Sequence, residues 1–216
     1  MDGNGRWAKA RGLTREEGHT QGAKAFRRIV EYCGDVGINV VTVYAFSTEN
    51  WKRPLGEVTQ IMKLLSEYID LAKEEYERRK LTVRFIGRRD RIPRELLSKM
   101  EALEKMSAGN SRTLNIALDY GAQAEIVDAV NSLISSGKKK ISEDDLEGAL
   151  WTSPCPPPDL IVRTAGEKRL SNFLLWQAAY AELYFTDVLW PDMTERDVDA
   201  ALEEFERRTR RFGAVV

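Results

Sequence analysis

Four short runs in this chain are apolar on both faces, and segments of helical period separate them. Val40-Val41-Thr42-Val43-Tyr44-Ala45-Phe46 is the clearest, and 81–86, 113–118 and 159–164 read the same way. A strand with no polar face needs cover on both sides, which is the pattern of a buried parallel sheet. The intervening segments have helical spacing over 20–36, 57–79, 93–106, 122–136, 171–180 and 194–210. This alternation predicts an α/β fold, a mostly parallel central sheet flanked by helices. The 216 residues are read as one domain, 1–216. Gly137–Pro158, with Lys138-Lys139-Lys140 and Pro154-Cys155-Pro156-Pro157-Pro158, reads as a surface connection and not a domain boundary.

Charge excludes some partners. The 33 basic and 34 acidic residues leave a net charge of −1, so no global field favours nucleic acid. Any anion site must come from local clusters. Cys33 and Cys155 have no metal-ligand spacing, and His19 is the sole histidine, so a multi-histidine zinc centre is excluded. Two such cysteines fit a reducing cytosol, and no apolar run reaches transmembrane length, so the expected location is cytoplasmic.

In open α/β sheets ligands gather at the carboxyl ends of strands. Two polar clusters fall there: Ser47-Thr48-Glu49-Asn50-Trp51 after the first run, and Arg163-Thr164-Ala165-Gly166-Glu167 after the last. A third cluster opens the chain. In Asp2-Gly3-Asn4-Gly5-Arg6 two glycines let backbone amides approach an anion, and Arg6 adds a planar cationic fork. Asp2 is suited to a Mg²⁺ shared with a phosphate, since that ion combines few carboxylates with phosphate oxygens. The alternative is an ordinary turn. The loop is neither a Walker A sequence nor a dinucleotide fingerprint.

Arg15, Gly18, His19 and Gly22 are placed at the start of the 20–36 helix, where free amides favour anions. A surface or capping role is the alternative for His19. The run from Arg163 to Asn172 holds Arg163, Lys168, Arg169 and a capping Ser171, and reads as a second diphosphate site on a helix N-terminus or as a solvated loop. Glu182, a carboxylate in an apolar stretch, needs a cation, either a metal or a salt-bridge partner. Val58, Ile61, Met62, Leu65, Tyr68, Ile69, Ala72 and Tyr76 form a stripe that is core or the lining of a hydrocarbon tunnel. Asp144-Asp145 lacks a third aspartate and reads as part of a helix cap led by Ser142.

Together these clusters resemble the undecaprenyl diphosphate synthase family, the bacterial cis-prenyltransferases. The matching blocks are MDGNGRWAKARGL with RxxGHxxG at 1–22, YAFSTENWKRP at 44–54, RTAGEKRLSNFLLWQAAYAELYF at 163–185, FTDVLWPD at 185–192 and ERRTRRFG at 206–213. The resemblance implies a cis-prenyltransferase-like domain with a hydrophobic tunnel, assembled as a homodimer. It implies condensation of isopentenyl diphosphate onto an allylic diphosphate, with farnesyl diphosphate as primer. The product would be a Z-polyprenyl diphosphate, undecaprenyl diphosphate for the cell-wall carrier lipid, with peripheral membrane contact for its delivery.

Residue by residue, the resemblance makes Asp2 the catalytic aspartate and a Mg²⁺ ligand, with Glu182 the second ligand. Gly3, Asn4, Gly5, Arg6, Trp7, Arg15 and His19 would bind the diphosphate region of the primer. Ser47, Thr48, Glu49, Asn50, Trp51 and Arg53 would border the reacting carbons, with Asn50 as proton acceptor. Arg163, Arg169, Leu170 and Ser171 would hold isopentenyl diphosphate.

There are departures from the family pattern. Family members carry a first strand before the Met-Asp-Gly-Asn block, and here the sequence begins at that methionine. Either the start site is misassigned or a central strand is missing. Asp119-Tyr120-Gly121-Ala122-Gln123 stands where the family has Asn-Tyr-Gly-Gly-Arg, and Lys168 where some members have histidine. The competing readings are a non-catalytic partner subunit of the same fold and a shorter-chain cis-prenyl synthase. Retention of Asp2, Arg163, Arg169 and Glu182 favours the enzyme.

Overall fold

The computed structural model describes residues 1–208. Part of the block at 206–213, and the end of the helix expected to reach 210, therefore lie outside the described residues. In chain order the elements are α1 (Asn4–Ala10), α2 (Arg15–Asp35), β1 (Val40–Ser47), α3 (Leu55–Glu75), β2 (Leu81–Ile86), α4 (Arg94–Ser107), β3 (Arg112–Tyr120), α5 (Ala122–Ser135), α6 (Glu143–Ala149), β4 (Leu160–Arg163), β5 (Glu182–Phe185) and α7 (Glu195–Arg207). Short 3₁₀ turns cover Thr48–Lys52, Gln177–Tyr180 and Trp190–Asp192. The architecture is α/β, and each strand pairing is parallel. The strands fall into two sheets, ordered β1-β3-β2 and β4-β5.

The chain divides into two compact units. One contains Met1–Val36, Pro157–Leu170 and the chain from Gln177; the other contains Gly37–Pro156 and Ser171–Trp176. The chain thus passes between units inside the proline-rich stretch.

In the second unit β3 is the middle strand, and Leu114 through Tyr120 are all buried. One face carries Leu114, Ile116, Leu118 and Tyr120, and the other buries Asn115, Ala117 and Asp119, so the run is covered on both sides although one face is partly polar; each buried Leu or Ile contributes about 1.5–3 kcal/mol of transfer free energy. β1 has one neighbour, and most of its residues are only half-buried. On α3, Val58, Met62 and Ile69 are buried, while Ile61, Leu65 and Tyr68 are half-buried. Ser142 caps α6 as its sequence predicts, with its hydroxyl accepting from the Asp145 amide and the Asp145 carboxylate accepting from the Ser142 amide.

In the first unit β4 and β5 pair in register, Leu160 opposite Glu182 and Arg163 opposite Phe185. The α2 helix starts at Arg15, five residues before the expected start. Thr14 and Glu17 close a capping box there, the Thr14 hydroxyl accepting from the Glu17 amide and the Glu17 carboxylate from the Thr14 amide. Gly18, His19 and Gly22 are therefore interior to the helix, not at an anion-binding end.

A second correction concerns 171–180. No helix forms there beyond the 3₁₀ turn at Gln177–Tyr180, because Ser171, Asn172 and Leu174 take left-handed backbone angles of 49°, 62° and 45°. Ser171 caps no helix, so the second anion site cannot rest on a helix N-terminus. The Asn172 side chain instead accepts from the Gln123 amide, and its carbonyl accepts from the Ala122 amide.

Candidate functional site

In the first unit the opening residues are held against the ends of β4 and β5. The Asp2 amide donates to the Thr164 hydroxyl at 2.9 Å, and that hydroxyl donates back to the Asp2 carbonyl at 2.9 Å. The same carbonyl accepts from the Trp190 amide. Gly3 then turns the chain with φ of 111°. A Cβ there would lie 3.0 Å from Leu189 Cδ2 and 3.2 Å from the Ala165 Cβ, so both the angle and the space demand glycine. The α1 helix begins at the next residue, so Asn4, Gly5 and Arg6 of the expected anion-binding loop are helical.

The underside of α1 explains the glycines of α2. A Cβ on Gly18 would lie 2.3 Å from the Asn4 carbonyl oxygen, and one on Gly22 would lie 2.2 Å from Asn4 Oδ1. Residues four apart share one helix face, so the pair makes a flat track on which α1 sits. Arg15 reaches α1 as well, its Nε 3.6 Å from where a Cβ on Gly5 would be. His19 is half-buried in α2. Trp7 donates its indole N–H to Asp192 at 2.6 Å, and Arg11 lies over its ring.

This framework gathers charge. Asp2 Oδ1 accepts from the Gly3 amide at 2.9 Å, and Oδ2 accepts from Arg163 Nη2 at 3.2 Å. Arg6 lies 3.9 Å from Asp2 Oδ1, donates to the Ala165 carbonyl at 2.8 Å, and lies 3.4 Å from Glu167. Glu167 also pairs with Arg169. The Arg163 side chain, 17% exposed, donates to the Arg169 carbonyl as well. Three arginines and two carboxylates thus form one network in which each guanidinium is already oriented. Ala165 and Gly166, both at positive φ, make the turn that carries it. Thr164 and Glu167 lie inside the 163–185 block, and no local pattern marks them, because Thr164 bonds to Asp2 and Glu167 to Arg6, both far away in the chain.

Glu182 stands apart from this network. The register sets it opposite Leu160, three residues before Arg163 on β4, about 10 Å along the strand. Its carboxylate accepts from Arg208 at 2.9 Å, and the Arg208 pKa is raised, first by Glu182 and then by Glu204. Among the described residues no group of three or more His, Cys, Asp or Glu side chains could hold a metal ion.

The remaining sequence candidates lie in the second unit, apart from Leu170, which is in the first. Asn50 Oδ1 accepts from the Ser47 amide at 3.1 Å, closing the turn after β1. Arg53 pairs with Glu57 on α3 at 3.0 Å. Thr48 and Asn172 both crowd Gly121, whose missing Cβ would lie 3.0 Å from Thr48 Oγ1 and 2.7 Å from Asn172 Nδ2. Burial opposes the charge on Glu49, but hydrogen bonds from its own amide, Ser47, Asn172 and Thr48 hold its pKa below the ordinary value. Ser171 is exposed in the loop described above.

Comparison with known proteins agrees across the chain. Residues 1–213 match the prenyltransferase family model described as "Putative undecaprenyl diphosphate synthase". An isoprenyl transferase of Fusobacterium nucleatum is 51% identical over all of this chain and 94% of its own length. The isoprenyl transferase of Aquifex aeolicus is 48% identical over the same shares. Among solved structures, lavandulyl diphosphate synthase from Lavandula x intermedia, in complex with dimethylallyl diphosphate, superposes with a TM-score of 0.93. It is 33% identical and covers 99% of this chain and 95% of its own. A probable undecaprenyl diphosphate synthase from Campylobacter jejuni gives a TM-score of 0.81 at 36% identity, over 90% and 92% of the two chains.

Proposed function

We propose a specific reaction for this chain, which belongs to the undecaprenyl diphosphate synthase family of prenyltransferases: it condenses isopentenyl diphosphate onto an allylic diphosphate primer, farnesyl diphosphate, to give a Z-polyprenyl diphosphate. The observation that carries the reading is the Asp2 carboxylate set beside the Gly3 turn, bonded to Arg163 and flanked by Arg6.

An allylic C–O bond breaks readily only when the departing diphosphate is neutralised. Arg6 and Arg163 present fixed donors to that charge, and the first amides of α1 have no acceptors within the helix. The double bond of isopentenyl diphosphate then attacks the allylic carbon. Inorganic diphosphate leaves, and one proton is lost from the adduct. The resemblance gives Asn50 as the acceptor of that proton.

The donor set fits a Mg²⁺ that arrives with substrate. Asp2 offers one half-exposed carboxylate, its side chain 43% exposed, among cations that would hold the phosphates. One carboxylate with phosphate oxygens and waters suits Mg²⁺ better than a closed protein cage does. When bound, the ion would supply charge neutralisation at the leaving diphosphate. Glu182 as a second ligand rests on the resemblance, and in this chain its carboxylate is bonded to Arg208.

The remaining parts of the reading come from the same resemblance: a homodimer, a cytoplasmic location with membrane contact for delivery, and undecaprenyl diphosphate as the cell-wall carrier product. No helix among the described residues is long and apolar enough to cross a membrane. The likeness to lavandulyl diphosphate synthase keeps a shorter product as the second reading. The test is incubation with farnesyl diphosphate, radiolabelled isopentenyl diphosphate and Mg²⁺, followed by butanol extraction and mass analysis. Labelled prenyl diphosphate in butanol is expected. No extractable label from correctly folded protein would overturn the reading.

A further inference from the structure

Within the second unit, one arginine touches both a buried carboxylate and a residue of the turn after β1. Asp119 is the next-to-last residue of β3, has left-handed backbone at φ 50°, and is fully buried. A non-glycine residue in that conformation costs of order 1–3 kcal/mol and persists only where its surroundings over-determine it. Here they do. The Asp119 carbonyl accepts from the Arg88 amide at 3.1 Å, and its carboxylate takes both prongs of Arg91, Nε at 3.0 Å on Oδ2 and Nη2 on Oδ1.

The same guanidinium lies over the ring of Trp51, its Cζ 5.3 Å from the ring centroid. Trp51 packs edge-on against the buried Phe46 at 5.2 Å. Its indole N–H is buried with no hydrogen-bond partner among the described residues. The indole thus has no hydrogen bond to orient it, and its ring lies between an edge contact with Phe46 and the Arg91 guanidinium. Trp51 lies in the Thr48–Lys52 turn that also contains Asn50.

We propose that Asp119 and Arg91 are positioning residues: the carboxylate fixes the guanidinium plane, and the guanidinium fixes Trp51 and with it the turn that presents Asn50 for the transfer reaction. This rests on the prenyl-transfer reading for its effect on rate, but not for its effect on Trp51. A lysine at 91 would keep the charge and lose both the bidentate fork and the guanidinium over the ring.

The experiment pairs Arg91→Lys and Asp119→Asn with Trp51→Phe, singly and combined. The Trp51 contribution to fluorescence is taken as the difference between each background and its Trp51→Phe partner. Expected are a red shift and greater acrylamide quenching of Trp51 in both positioning variants. The kcat should fall about 10-fold to 100-fold, since sub-ångström misplacement carries penalties of that order, while KM for isopentenyl diphosphate changes less than about 3-fold. In the Trp51→Phe background, Arg91→Lys should have little further effect on kcat, because the residue it acts through is gone. An unchanged Trp51 signal in either folded variant overturns the proposal, and so does strict additivity with Trp51→Phe. If wild type forms no prenyl diphosphate, the functional reading fails, while the fluorescence arm still decides whether Arg91 positions Trp51.

Discussion

Thr164→Val removes one oxygen and keeps the shape of a side chain that is 2% exposed. The lost hydroxyl serves Asp2 twice, accepting from its amide and donating to its carbonyl, both at 2.9 Å. The carbonyl keeps the Trp190 amide as a donor, so the orphaned group is the Asp2 N–H. A buried donor without a partner costs about 1–3 kcal/mol. Taking about 2 kcal/mol, the melting midpoint should fall by roughly 4–8 °C for a chain of this size. The same change frees the backbone that aims the Asp2 carboxylate, and loss of aim on the ångström scale reduces kcat by about 100-fold. Thr164→Ser is the control: it keeps the hydroxyl and loses one methyl group, about 0.8 kcal/mol of burial. Thermal melts and label incorporation read the two effects separately. If valine and serine variants turn over equally, the hydroxyl does not place Asp2, and the reasoning is refuted.

Gly18→Ala sets two effects against each other. Alanine improves helix propensity by about 1 kcal/mol, but its Cβ would meet the Asn4 carbonyl oxygen at 2.3 Å, and forcing backbone apart costs about 1–3 kcal/mol. The variant should be destabilised in thermal melts, and a stabilised one would show that α1 does not rest on this track. The Asp145 carboxyl is held at about 2 by Lys138 first and then by Ser142. Because its folded pKa is depressed, its support for the α6 cap is complete above the ordinary value of 3.8 and lost as pH falls toward 2. Amide exchange at Asp145 should therefore show weaker protection across that acid window in wild type and little pH response there in Asp145→Asn. Each five-carbon unit added to a product held in apolar surroundings contributes about 3–4 kcal/mol at about 0.8 kcal/mol per CH₂. Release should then limit turnover, seen as a burst of product in pre-steady-state assays; a linear time course from the first turnover contradicts it.

The strands are legible in the sequence from their β-branched and apolar residues, although the middle strand β3 also buries Asn115 and Asp119. Shorter or more polar elements are not. β5 has four residues, too few to show a period, and α1 starts at a glycine turn whose need for φ of 111° comes from Leu189 and Ala165, far along the chain. The Thr14-x-x-Glu17 cap is present in the letters, yet Gly18 and Gly22 suggest an anion-binding helix start at about residue 20. Their reason is a neighbouring helix, which no local pattern reveals. Around 171–180, the apolar spacing of Phe173, Leu174 and Trp176 imitates a helix, and left-handed Ser171 and Asn172 break it. For the candidate site, residue chemistry pointed to Asp2, Arg6, Arg163 and Arg169 because phosphate chemistry needs those types. Thr164 carries no such signal, because its role depends on a backbone partner 162 positions away.

The central claim is that the Asp2 carboxylate, held between the Gly3 amide and Arg163, acts on an allylic diphosphate. Asp2→Ala measures it most directly, with incorporation of labelled isopentenyl diphosphate followed beside circular dichroism of the same preparation. The account predicts a native spectrum with incorporation at background. Turnover equal to wild type in the folded variant would contradict it.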